Sequence, residues 1–118
     1  MTTETWEIVA GDFGGDYRAT TPKGLNLSDC KAKVKIWKGS TILIDYLPEA
    51  GLDVTYDSDA DESYCDYRFL ADEIPLSAAI DGKKTEYDVK VRFTKTDFQE
   101  HDLGFKLIVH PAPPVAEE

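Results

Sequence analysis

Residues 30–46 read CKAKVKIWKGSTILIDY, and the first half of the stretch alternates without a break. Cys30, Ala32, Val34 and Ile36 take every second place, with Lys31, Lys33, Lys35 and Trp37 between them. Successive side chains leave a strand on opposite faces, whereas a helix brings together residues three and four apart, so the pattern fits a half-buried strand. The lysines mark its wet face. Gly39-Ser40 follows, with glycine at the first central position of a two-residue hairpin turn. That hairpin pairs Lys38 with Thr41, Trp37 with Ile42 and Ile36 with Leu43. Ile36 and Leu43 are thereby predicted to enter the core. Trp37, Ile42 and Ile44 share the lysine face, and an apolar spot among charged stems makes them protein-interface candidates.

The same period of two recurs along the chain. Trp6, Ile8 and Ala10 alternate with Glu7 and Val9, and a short strand resumes over 17–20 after the turn glycines Gly11, Gly14 and Gly15. A strand is expected over 53–56, and another with Cys65, Tyr67 and Phe69 on one side and Tyr64, Asp66 and Arg68 on the other. Tyr87, Val89, Val91 and Phe93 mark the next, and Phe105, Leu107 and Val109 the last. Pro75 in DEIPLSAAI permits at most one short helical turn, and Asp81-Gly82 is a turn signal. Seven to eight short strands separated by turn residues predict an all-β, antiparallel sandwich or barrel over residues 1–110. Residues 111–118, PAPPVAEE, form a proline-rich acidic tail that lacks the donors to extend a sheet.

With 13 basic and 23 acidic residues, the 118-residue chain carries a net charge of −10, which repels phosphate backbones and anionic lipid. Nucleic-acid binding is therefore disfavoured, although an acidic surface can also mimic nucleic acid. No apolar run approaches the ~18 residues of a membrane-spanning helix, and no basic start precedes a long apolar stretch, so neither a membrane location nor secretion is expected. Cys30 and Cys65 fall at inward strand positions, which favours two buried thiols over a disulfide.

Catalytic signals are sparse. His101 and His110 have no evident nucleophile or orienting group near them in sequence, and neither cysteines nor histidines have zinc spacing. Asp57, Asp59 and Asp61 resemble the start of a calcium loop, but Glu62 stands where its glycine belongs and Arg68 where its bidentate glutamate belongs. They are weak metal candidates, and a solvated loop is the plainer reading. Trp6, Trp37, Tyr46, Tyr56, Tyr64 and Tyr67 are of the type that stacks on sugars, but aromatics also dominate small β cores. No cofactor and no enzymatic activity are expected.

Four stretches together resemble a phage family, the Ig-like N-terminal domain of baseplate upper proteins and related virion sandwiches. They are WEIVAGDFGGDYRATT, GLNLSDCKAKVKIWKGSTILID, YCDYRFLADEIPLSAAIDGKKTEYDVKVRF and GFKLIVHPAPP, with Leu25, Leu27 and Ser28 as the Leu-x-Leu-[ST] segment. The resemblance implies an Ig-like β-sandwich and a structural role in a virion. On that reading the product is made in the host cytoplasm and assembles as a symmetric oligomer with copies of itself and with other tail, baseplate, neck or capsid proteins. Its sheet edges, loops and tail would make the contacts. The alternatives are an acidic phage effector that blocks a host nucleic-acid enzyme, and a carbohydrate- or calcium-binding receptor module.

Overall fold

A computed structural model describes residues 5–95 and 98–112, with the side chains of 98–100 left out. Most of the expected tail, from residue 113 onward, lies outside the described residues. The strands are β1 Thr5–Val9, β2 Gly14–Thr20, β3 Lys31–Lys38, β4 Thr41–Asp53, β5 Thr55–Asp57, β6 Glu62–Phe69, β7 Thr85–Lys95 and β8 Phe98–His110. They form two sheets, one ordered β1-β8-β7-β3-β4 and the other β2-β6-β5. The two sheets face each other as the expected all-β sandwich. Tyr87, near the start of β7, ties the strand to the connection before it: its hydroxyl donates to the Ala78 carbonyl, 2.6 Å away.

The alternating residues behave as their period requires. Ala32, Val34 and Ile36 of β3, Val89, Val91 and Phe93 of β7, and Phe105, Leu107 and Val109 of β8 are all buried. From the facing sheet come Ala19, Cys65, Tyr67 and Phe69. Full burial of a side chain such as Val or Phe contributes about 1.5–3 kcal/mol, so these rows are the main source of stability. Rings join the layers: Trp6 of β1 lies 4.7 Å from Phe105 and 6.3 Å from both Tyr67 and Phe69, centroid to centroid. Cys30 and Cys65 are both buried as thiols.

Four expectations need correction. First, β1 pairs with β8 in parallel, Thr5 opposite Lys106 through Val9 opposite His110, so the sandwich is not wholly antiparallel. Second, the connection before β7 holds two 3-10 turns, Leu76–Ala78 and Ile80–Gly82, where one was expected; Ala79, extended at φ −86° and ψ 92°, separates them. Third, the strand expected over 53–56 divides, since Asp53 ends β4 and β5 is Thr55–Asp57. Fourth, Ile36 pairs with Ile44, not Leu43. Between Trp37 opposite Ile42 and Ile36 opposite Ile44, β4 advances two residues while β3 advances one. Leu43 is the extra residue of a β-bulge: the bulge turns Ile44 inward, while Leu43, half-buried, still packs against the core as expected.

The rest of β4 repeats that device. Val34 is opposite Leu47 and Ala32 opposite Leu52, so further residues are inserted around Tyr46, at φ 53°, and around Gly51, at φ 82°. A Cβ at Gly51 would stand 2.7 Å from the Lys31 Cβ, which is why glycine occupies this place. The insertions bring Ile44, Leu47 and Leu52 in turn onto the core. They also roughen the outer rim of the sheet, where Pro48 has no N–H to offer, so β4 is a poor template for strand addition.

The loops sort to two ends. At one end lie the β1–β2 connection, the β3–β4 turn, the 70–84 connection and the end of β8. At the other lie the 21–30 loop and the β5–β6 turn. Ser63, the buried second residue of β6, anchors the 21–30 loop: its hydroxyl accepts from Leu27 N–H and donates to the Leu25 carbonyl, each at 2.8 Å.

Candidate interaction face

The outward side of the five-stranded sheet is built by residues that alternate with the core rows. Register sets Lys33 of β3 beside Arg92 of β7, Lys35 beside Lys90, and Trp37 beside Asp88. On the far side of β7, Lys106 of β8 is opposite Asp88 and Asp102 is opposite Arg92. Some of these charges are neutralised within the face. Lys106 pairs with Asp88, Lys31 with Asp53, and Arg92 Nε with Asp102 Oδ1 at 3.2 Å. Hydrogen bonding to Asp88 raises the Lys106 ammonium above its usual range, and the Lys31 bond holds the Asp53 carboxyl below its own.

Lys33, Lys35 and Lys90 have no carboxylate partner among the described residues. Tyr46 reaches over this group from the second irregularity of β4. Arg92 Cζ lies 4.6 Å from its ring centroid, and Lys35 Nζ lies 5.4 Å from both the Tyr46 and Trp37 rings. Such cation–π contacts fix the long side chains in place without cancelling their charge. Ile42, 50 % exposed, sits opposite Trp37 and completes an apolar border. A protein of net charge −10 thus carries a positive, partly aromatic surface on one sheet.

Of the three interface candidates, Trp37 and Ile42 lie on this face, Trp37 half-buried, but Ile44 does not. It is 1 % exposed and belongs to the core, turned inward by the bulge at Leu43. Sequence reasoning left out Tyr46, Lys90 and Arg92 as parts of the face. The alternation of β7 showed Lys90 and Arg92 to be outward, but that β7 lies beside β3 is a non-local fact no window of sequence carries. Tyr46 had no local signal, since its position depends on a bulge.

The metal candidates do not converge. Asp57 Oδ1 accepts from the N–H groups of Asp59 and Ala60, at 3.0 and 3.3 Å, and so closes its own turn. Asp61 Oδ1 accepts from the Tyr56 hydroxyl at 2.5 Å. No group of three or more metal-binding side chains occurs among the described residues. His110, for which no companion was expected, meets Glu7 across the β1–β8 pair at 2.7 Å. The two border an open recess of about 330 Å³, shared with Asp12, Phe13 and Tyr17, whose hydroxyl donates to the Glu7 carbonyl at 3.0 Å. His101 lies beside the Phe93 ring. No helix among the described residues is long and apolar enough to cross a membrane. No protein-family model and no curated protein matches the chain.

Proposed function

We propose that the chain is a non-enzymatic structural module, a β-sandwich subunit of a phage particle, which binds a neighbouring protein through the outward face of its five-stranded sheet. The observation that carries the contact is the set of Lys33, Lys35 and Lys90, without carboxylate partners among the described residues and bordered by Trp37, Tyr46 and Ile42. Cations held over aromatic rings beside an exposed isoleucine fit an acidic protein surface with an apolar centre. Arg and aromatic anchors carry most of the energy in such interfaces. The resemblance supports the phage setting, and the obstructed rim of β4 favours the sheet face over strand addition.

Quantitative mass spectrometry of purified particles tests the setting: the chain is expected in stoichiometric amount with the other structural proteins. Its absence from particles removes that role. The contact is tested by Trp37→Glu and by the pair Lys33→Glu with Lys90→Glu. Each is expected to abolish incorporation while the isolated domain melts within a few degrees of the parent. Normal incorporation of both variants would move the contact elsewhere.

A further inference from the structure

Five large apolar side chains are exposed among the described residues, and four of them, Phe13, Leu70, Leu76 and Ile80, gather at the end of the sandwich where β8 finishes. Phe13 precedes Gly14, whose strand partner is Phe69, so Leu70 lies close to it. The Leu76 side chain comes within 3.0 Å of where a Cβ on Gly11 would stand. Ile80 N–H donates to Thr85 Oγ1, 2.9 Å away at the first residue of β7. The display is fixed by backbone bonds: Gly11 N–H to the Ile74 carbonyl at 2.8 Å joins the two connections, and Ala78 N–H to the Pro75 carbonyl at 2.9 Å closes the turn that turns Leu76 outward. The four residues are between 43 % and 67 % exposed. A patch on the order of a few hundred Å² is large enough to have a function on a monomer.

Charge around the patch indicates what covers it. Asp12 and Asp72 are exposed on the side of the three-stranded sheet, and Asp81, Lys83 and Lys84 on the side of β7. None of the five has an ion pair among the described residues. The β7 side is positive by one charge and the other side negative by two, so a two-fold axis through the patch would set Lys83 and Lys84 of one copy against Asp12 and Asp72 of the other, a single surface serving both copies. The acidic β5–β6 turn with Asp57, Asp59 and Asp61 lies at the opposite end, beyond the length of β6. At ~3.3 Å per residue that is more than twice the ~8 Å screening length at physiological salt. That concentrated negative charge therefore does not oppose the approach of two copies.

We infer that this end is a two-fold, end-to-end contact with a second copy of the chain, with Phe13, Leu70, Leu76 and Ile80 at its centre and Lys83 and Lys84 meeting Asp12 and Asp72. It does not depend on the sheet-face contact, which uses other residues. Sedimentation velocity of the full chain over the micromolar range is expected to show a monomer–dimer equilibrium. Leu70→Asp and Leu76→Asp should each weaken it roughly tenfold or more while leaving the melting temperature of the dilute, monomeric protein within a few degrees of the parent. Lys83→Glu with Lys84→Glu should weaken it too, and adding Asp12→Lys with Asp72→Lys should restore it. Trp37→Glu should still dimerise, which separates a failure here from a failure of the sheet-face reading. A monomer at every concentration, a dimer indifferent to Leu70→Asp and Leu76→Asp, or a charge swap that restores nothing would each overturn the inference. So would a monomer that dimerises only once residues 113–118 are removed, since the patch would then belong to the chain's own end.

Discussion

Replacing Ser63 by alanine removes one oxygen and leaves two backbone groups without partners. The hydroxyl accepts from Leu27 N–H and donates to the Leu25 carbonyl, and Ser63 itself is fully buried. Alanine fits the space without strain, so loss of the two bonds is the whole perturbation. Each bond contributes about 1 kcal/mol net, and groups left unsatisfied in a partly buried loop add to that, for a total of about 2–3 kcal/mol. Unfolding entropy of roughly 2.1 cal/mol/K per residue over 118 residues makes each kcal/mol worth about 4 °C, so Tm should fall by about 8–12 °C. Differential scanning calorimetry measures the shift, and hydrogen exchange at the Leu27 amide locates it. Ser28→Ala, on the exposed part of the same loop, is the control and should change stability by under about 0.5 kcal/mol. A fall below about 2 °C for Ser63→Ala, with Leu27 still protected, would refute the claim that this one hydroxyl holds the loop.

Other outcomes follow from the same structure. Ile44→Ala should cost about 2–5 kcal/mol in chemical denaturation and Ile42→Ala under about 0.5, the reverse of what a regular hairpin alternation would give. Burial and the Glu73 carboxylate raise the Tyr67 phenol well above its usual range, so its contribution is fully present below about pH 10 and lost as pH rises further. Tyr67→Phe should therefore flatten the alkaline limb of a Tm–pH profile, the remaining slope coming from Cys30, Tyr17 and Tyr87, raised chiefly by burial, and from Tyr56 and Lys106, raised chiefly by their bonds to Asp61 and Asp88. The Arg18 guanidinium bonds both Asp66 oxygens and depresses that carboxyl, so its stabilisation is present above about pH 3.9 and is lost as pH falls through the lowered value. Arg18→Met should return the Asp66 titration, followed by NMR, to the ordinary carboxylate range.

The core rows of β3, β6, β7 and β8 were legible because each is a regular strand with one wet and one dry face, and such a strand writes its geometry into every second residue. β4 was not, although its start reads just as cleanly. Ile42 and Ile44 stand two apart and yet face opposite ways, because the bulge at Leu43 adds a residue that neither glycine nor proline announces. Farther along, Ile44, Leu47 and Leu52 reach the core at unequal intervals of three and five, which no fixed period detects. The parallel pairing of β1 with β8 joins residues about a hundred positions apart, and nothing local encodes direction at that range. The candidate face shared this limit: Trp37 and Ile42 were visible on their own hairpin, whereas Lys90 and Arg92 became its neighbours only through the strand order.

Because β1 and β8 run the same way, a pull that draws residue 5 and residue 110 apart slides the two strands along each other. The bonds between Thr5–Val9 and Lys106–His110 then carry the load simultaneously, where an antiparallel pair pulled from its open end would peel one bond at a time. The short first strand thus acts as a mechanical latch, giving a domain of ordinary size a high resistance to force along its strand axis.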